Sequence, residues 1–275
     1  VLTQASKAWF DAPPPEASDH PLATRTPALF IADRAMVPKL EQMDAQFRQF
    51  SPDVEHLDEA AMVAMCPVLR FGDEHIVAGL CDHDGRALDV AATLDACQRL
   101  LMRHGGERRL SAGVVAIERV GRDWRLDLAD GSSVTAPIVV NAAGAWADQV
   151  AQMADVAPLG LRPLRRTIIV VDAVTATSPE PLPTQGWPFV KTAIDEFYMA
   201  AQGGRLIVSP TDEIPSDPCD AQPEEMDMAI AADRLERWTH VTVRRFAGKW
   251  AGLRTFRASN HPCAGFAPDA PGFFW

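Results

Sequence analysis

The stretch Val139-Val140-Asn141-Ala142-Ala143-Gly144-Ala145-Trp146-Ala147-Asp148 decides how this chain is read. Pro137 opens an apolar strand candidate, Ile138 to Val140. That strand runs into a turn of small residues, Asn141 to Gly144, and a helix beginning near Ala145. Residues this small let a ligand lie against the backbone, and the amides at the following helix start can face a diphosphate. By composition alone, close packing of a strand-turn-helix unit is an equal reading.

Outward from that turn the pattern alternates between helices and strands. Upstream, Val114 to Val120 and Trp124 to Leu128, then the Asp130-Gly131 turn and Val134, read as a β-meander. Asp89 to His104 has helical spacing, with Val90, Leu94, Cys97 and Leu101 at three- and four-residue steps and Gly105-Gly106 as the stop. Val37 to Phe50 is helical, with Leu40, Met43 and Phe47 on one face. Leu57 to Cys66 is a further helix that Pro67 ends. Ala28 to Ala32 is a short apolar strand. Downstream, Thr167 to Val171, Phe189 to Thr192, Glu196 to Ala200 and Leu206 to Ser209 read as strands. Glu224 to Val241 returns to a helix with Met228, Ala231, Leu235 and Trp238 on its inner face.

The 275 residues carry 26 Lys and Arg against 37 Asp and Glu, a net charge of −11. No basic stripe is present to release counterions from phosphates, which argues against a nucleic-acid partner. No window reaches the roughly 20 apolar residues of a membrane span, and no basic and apolar leader opens the chain. A cytoplasmic protein without a transmembrane segment is expected. The five cysteines, Cys66, Cys81, Cys97, Cys219 and Cys263, show no CxxC spacing, so reduced thiols are expected rather than a disulfide or zinc framework. The start at Val1 and the apolar end Phe273-Phe274-Trp275 look like cuts through a longer protein.

The stretch Val139 to Asp148 resembles the second dinucleotide-contacting strand of the D-amino acid oxidase superfamily of FAD-dependent oxidoreductases, nearest its D-arginine or D-amino acid dehydrogenase and glycine oxidase types. Other resembling segments follow in family order. They include Ala5 to Asp11, His20 to Leu22, Cys66 to Arg70, the meander, Pro158 to Thr167, Phe197 to Ala200, Gly204 to Glu213, Trp250 to Phe256 and Ala270 to Trp275. The resemblance implies an α/β fold: a glutathione-reductase-like FAD-binding domain, incomplete here, interleaved with an α+β substrate domain built on a mixed sheet. The expected division is 1–27, 85–160 and 245–275 for the FAD-binding domain, and 28–84 and 161–244 for the substrate domain.

By the same resemblance Ala142, Ala143, Gly144 and Trp146 line FAD, and Val114 lends it backbone contacts, with a plain strand residue the competing reading of Val114. Arg254 is the leading substrate residue. A guanidinium fork matches a carboxylate, and a charge set among Trp250, Leu253 and Phe256 needs an anionic partner. A structural salt bridge is the alternative. Arg166 matches the second arginine of the family's substrate site, although strand alternation points only one of Arg165 and Arg166 toward it. Tyr198, the chain's one tyrosine, falls where relatives place a phenol over the substrate. A half-buried strand tyrosine is its plainer reading. His75, Cys81 and His83 have no common zinc spacing, and no metal is expected. His261 and Cys263 lack a partner at a diagnostic spacing for a nucleophile and base.

The implied reaction is oxidative deamination of a D-amino acid by hydride transfer from its α-carbon to FAD, with the electron acceptor left open. The small-molecule substrate is expected to be an amino acid with an apolar side chain rather than arginine, since Ala28, Leu29 and Phe30 offer no acid before Asp33. A secondary-amine oxidase acting on sarcosine- or proline-like substrates is the enzymatic alternative, and a non-catalytic remnant the other. The chain contains no GxGxxG turn and no glycine-rich loop following Trp275, so it is expected to bind FAD poorly or not at all by itself.

Overall fold

The computed structural model describes residues 2–51 and 53–275; Val1 and Pro52 lie outside the described residues. The chain opens with helix α1 (Leu2–Asp11) and strands β1 (Ala23–Arg25) and β2 (Ala28–Ala32). Helix α2 (Val37–Phe47) carries Pro38 in its first turn, where a missing N–H costs nothing. Strand β3 (Val54–Leu57) leads into α3 (Glu59–Met65), whose cap Asp58 accepts the Ala61 amide at 2.8 Å. Strands β4 (Ala78–Asp82) and β5 (Arg86–Leu88) flank the His83 to Gly85 turn and precede α4 (Val90–Arg103), capped by Asp89. The meander β6 (Val114–Val120), β7 (Asp123–Leu128) and β8 (Ser133–Ala136) is followed by β9 (Val139–Val140) and α5 (Ala147–Met153). Then come β10 (Arg162–Val171), β11 (Phe189–Thr192), β12 (Tyr198–Gln202), β13 (Arg205–Ser209) and β14 (Ile214–Pro215). Helix α6 (Glu225–Trp238), β15 (Gly248–Phe256) and β16 (Phe273–Phe274) complete the order.

Contacts divide these elements into two units, residues 1–107, 167–212 and 223–250, and residues 108–166, 213–222 and 251–275. The first holds a mixed sheet in the order β10-β13-β12-β11-β2-β4-β3. Its neighbours are antiparallel except β2 and β11, which run parallel with Ala28 opposite Phe189. Helix α2 packs over β2 and β4, and α6 over β13. All four expected inner residues of α6, Met228, Ala231, Leu235 and Trp238, are buried. Each large side chain so buried contributes about 1.5–3 kcal/mol. The same unit carries a small separate core in which Trp9 and Phe10 meet Leu22, Ala96 and Leu100. Ion pairs Lys7–Asp84 at 2.5 Å and Arg86–Asp11 at 2.8 Å stand beside it.

The second unit contains the antiparallel meander, the parallel pair of β9 with β16, and α5. Ile117, Trp124, Val139, Ala151 and Phe273 form its core. Gly272 adopts φ +83°, and a Cβ there would collide with the carbonyl oxygen of Pro137. Glycine is therefore required where β16 enters its pairing with β9. The contact division differs from the functional division expected from the sequence, because β1 pairs with β5 and the two ion pairs tie residues 1–27 and 85–107 into the first unit.

Several boundaries depart from expectation for local reasons. Strand β12 starts at Tyr198 rather than Glu196, because Thr192 to Phe197 is a tight turn with Asp195 at φ +62° and the Thr192 amide bonded to the Phe197 carbonyl. Strand β10 begins at Arg162, five residues before the expected Thr167, because Leu164 and Arg165 pair with Pro215 and Ile214. Helix α2 stops at Phe47, three residues before Phe50, and the chain turns there. In α4 the helix is as expected, but the periodic stripe is not its packed face. Ala96 is buried, whereas Val90 and Leu94 are about two-thirds exposed, at 65% and 66%. Among the described residues no helix is long and apolar enough to cross a membrane.

Candidate functional site

The turn after β9 is held from inside. The Asn141 amide donates to the Phe274 carbonyl at 2.8 Å, and its buried side chain donates Nδ2–H to the Ala147 carbonyl at 2.8 Å. The Asn141 Oδ1 in turn accepts the Ala143 amide at 3.3 Å. Gly144 takes φ +57°, a conformation that favours glycine, and among the described residues none beyond its two chain neighbours comes within 4 Å of where a Cβ would stand. Ala142, Gly144 and Trp146 are exposed and Ala143 is half-buried. A small-residue backbone thus faces open space.

The helix beyond is a weaker anion site than the sequence reading implied. A single 3₁₀ turn, Gly144–Trp146, comes first, and α5 then runs for only 7 residues. The Trp146 amide is taken by the Ala143 carbonyl at 3.0 Å. With the Ala143 and Trp146 amides satisfied internally, the exposed small residues rather than a helix dipole offer the contact. Val114 heads β6 opposite Leu128, next to a register shift before Ala116. Its side chain packs on the unit's core, which leaves only its backbone for a ligand.

Asp148 extends the same architecture. Its two oxygens accept the amides of Leu159 and Leu161 at 2.9 and 2.7 Å, fixing the loop that faces the turn. Between them lies a cleft of about 400 Å³, bordered by Asn141, Gly144, Leu161, Phe256, His261 and Trp275. Its size is within the usual range for small-molecule sites. His261 and Cys263 stand on its exposed rim. The residues fit the cofactor: an open glycine backbone and a cleft bordered by the half-exposed aromatics Phe256 and Trp275. A larger cleft of about 540 Å³ in the first unit, between Thr24 and Gly204, contains none of the expected site residues.

The substrate-residue candidates fall in two places. Arg166 and Arg254 both face Glu213: Arg166 Nη2 lies 3.3 Å and Arg254 Nη1 4.0 Å from the same Glu213 Oε1. Arg166, whose side chain is 11% exposed, therefore shares a partner with Arg254. The expected apolar burial of Arg254 is not seen. Its side chain is half exposed, Trp250 is 46% exposed, and the Phe256 ring lies under the guanidinium, at 4.8 Å. The structural-pair alternative holds in part, since Glu213 is a salt-bridge partner, but a half-exposed pair at 4.0 Å contributes little. Tyr198 belongs to the first unit, opposite Ser209 and Lys191, with its ring 5.4 Å from that of Phe189. It is half-buried.

Glu213 escaped the sequence reading because a lone acid after Pro210-Thr211-Asp212 has no periodic signature. Asn141 and Asp148 lay inside the quoted stretch, but their ties reach the Phe274 carbonyl and the Leu161 amide and carry no local mark. Elsewhere, Cys81 Sγ, His83 and Glu55 line up, with Cys81 3.7 Å from His83 Nδ1 and His83 Nε2 3.3 Å from Glu55. Burial, reinforced by Asp82, Glu55 and Asp53, pushes the Cys81 thiol up to about 12, so it is not a nucleophile.

Comparison with known proteins places the fold. Glycerol-3-phosphate dehydrogenase 1 of Mycobacterium tuberculosis is 28% identical over 220 residues, which is 74% of this chain and 39% of that protein. The chain thus spans well under half of that relative's length. Glycine oxidase from Geobacillus kaustophilus superposes with a TM-score of 0.82 at 18% identity, over 99% of this chain and 71% of its own. Iminodiacetate oxidase from Chelativorans sp. BNC1 gives 0.76 at 20% identity, over 99% and 73%. These likenesses show a shared mixed α/β fold. The family model for DAO, described as FAD dependent oxidoreductase, matches residues 2–275, nearly the whole chain. The chain belongs to the DAO family of FAD-dependent oxidoreductases.

Proposed function

We propose that this protein oxidises the amine of a D-amino acid to the imine, which water then hydrolyses to the keto acid and ammonia. The observation that carries the reading is the convergence of Arg166 and Arg254 on one carboxylate, Glu213. Two guanidinium groups within 4.0 Å of one carboxylate oxygen make a carboxylate-recognising pair, and a substrate carboxylate would meet the same groups. Holding that carboxylate restricts the rotation of the α-carbon, which is the orientation an amine oxidation needs. Tyr198 is a further proposed substrate residue. When bound, FAD supplies the hydride acceptor. Ala142, Ala143, Gly144 and Trp146, with the backbone of Val114, are the proposed cofactor contacts. Reduced thiols support a cytoplasmic setting.

A second reading, oxidation of a secondary amine, is favoured by the structural likeness to iminodiacetate oxidase. Turnover of D-alanine and D-valine against sarcosine and D-proline by the flavin-loaded protein separates the two. Preference for the primary amines is expected. Absence of flavin absorbance together with no turnover of any amine would sink both.

A further inference from the structure

We propose that Asn141 is a positioning residue for the cofactor: its buried side chain holds the Ala142–Trp146 backbone in the shape that receives FAD. This rests on the proposed cofactor role of Ala142, Ala143, Gly144 and Trp146. Asn141 stands directly after β9 and is 6% exposed. A buried amide needs partners for its donor and its acceptor, and Asn141 commits both to the turn it opens. Nδ2–H goes to the Ala147 carbonyl at 2.8 Å and Oδ1 takes the Ala143 amide at 3.3 Å, so one planar group grips the strip near both ends. The backbone amide of Asn141, bonded to the Phe274 carbonyl, fixes that grip to the β9 and β16 pair.

The strip depends on such a grip because its own residues anchor it weakly. Alanine and glycine have no side chain that can reach a hydrogen-bond partner, and Gly144 takes φ +57°. The bonds within the strip are local, from the Trp146 amide to the Ala143 carbonyl and from the Ala147 amide to the Gly144 carbonyl. Backbone ordered before a ligand arrives spares the entropy of ordering it on binding. The far side of the cleft is referenced to the same point. Asp148 follows Ala147 and holds the amides of Leu159 and Leu161, and both leucines border the cleft with Asn141 and Gly144. Releasing Ala147 from Asn141 therefore loosens the strip against the loop it faces, and cofactor affinity falls.

Equilibrium dialysis of the chain against FAD, which registers weak binding, tests this without requiring turnover. Asn141→Ala is expected to weaken FAD binding by about tenfold, the scale of one internal hydrogen bond. Ile117→Ala, in the core of the same unit and outside the lining of the cleft, is the stability control. It is expected to lower the melting temperature at least as much and to leave FAD affinity near that of the parent, all three proteins being compared at a temperature at which they are folded. Asn141→Asp keeps the proposal falsifiable if the alanine variant does not fold. Burial favours the neutral carboxylic acid, whose O–H can donate to the Ala147 carbonyl while its C=O accepts the Ala143 amide; the ionised form has no such donor. Its FAD affinity is expected to approach the parent's at about pH 6 and to fall relative to the parent's toward about pH 8. FAD affinity unchanged in Asn141→Ala, lowered as far in Ile117→Ala, or independent of pH in Asn141→Asp relative to the parent overturns the proposal. A parent chain that retains no FAD overturns it together with the cofactor contacts on which it rests. The expected shifts in a protein that binds FAD and oxidises no amine support the role of Asn141 and count against the proposed activity. Turnover by the parent with FAD affinity intact in Asn141→Ala counts against Asn141 alone.

Discussion

Asp148 Oδ2 accepts the amide of Leu161 at 2.7 Å, so the last residue of the decisive stretch fastens a loop 13 positions further on. Its other oxygen holds Leu159. Asp148→Ala removes both charge-assisted bonds and is expected to destabilise the protein by about 2 kcal/mol in urea unfolding. Hydrogen exchange at Leu159 and Leu161 should accelerate with it. A loss below about 0.5 kcal/mol, the size of an ordinary surface change, would show that the loop is held by other means.

Gly272→Ala tests the junction of β9 and β16. The substitution forces a Cβ onto φ +83° and against the Pro137 carbonyl. Strain plus a backbone clash should cost about 2 kcal/mol or more, and the fluorescence of Trp124, whose ring lies 5.9 Å from Phe273, should report the disturbance. Gly144→Ala at the exposed turn has no clash and should cost less, about 1 kcal/mol.

Thiol chemistry should divide the cysteines. Cys97, Cys219 and Cys263 are exposed and Cys66 and Cys81 buried, so a thiol reagent should modify three groups in the native protein and five after denaturation. Burial pushes both buried thiols up to about 12. A raised folded pKa favours the protonated thiol in the native state. The stability this confers is fully present below the ordinary thiol pKa and is lost as pH rises toward 12. Each thiol should withdraw about 1.4 kcal/mol per pH unit across that window. Alkaline melting curves of Cys66→Ala should show a shallower slope than the parent once its lower starting stability is subtracted.

The arginine pair makes a kinetic prediction. Arg254→Ala and Arg166→Ala should each lower kcat/KM for a D-amino acid by about 10- to 100-fold, the cost of a lost charged hydrogen bond. Lysine at either position should restore only part of it, since an ammonium keeps the charge but not the fork. Tyr198→Phe should lose about threefold to tenfold. Unchanged kcat/KM in both alanine variants would exclude the pair from substrate binding.

Much of the fold was legible because burial follows period. Met228, Ala231, Leu235 and Trp238 recur at helical steps and all face the core of the first unit. The strands Ala28–Ala32, Val114–Val120 and Phe189–Thr192 begin and end where their apolar and β-branched runs do. Strand β4, Ala-Gly-Leu-Cys-Asp, was missed because its three central residues are buried in succession and leave no alternation to read. Strand β15 hid behind Gly248 and Gly252. For α4 the period was right and the face was not, because a repeat marks an apolar side without saying what covers it. The arginines were legible as residue types with a chemical preference. Their common partner lies 47 positions from Arg166, and only the fold brings such an acid to it.

That outward stripe on α4 also governs how molecules of this chain behave toward one another. Val90, Leu94, Leu101 and Met102 give water an apolar strip of the kind that drives self-association. Opposing it is the net charge of −11, a long-range repulsion that vanishes near the isoelectric point of about 5.1 and shrinks to a few ångströms in molar salt. Colloidal stability therefore rests on pH and ionic strength as much as on folding. Mild acid or high salt will make the chain cloud before it unfolds.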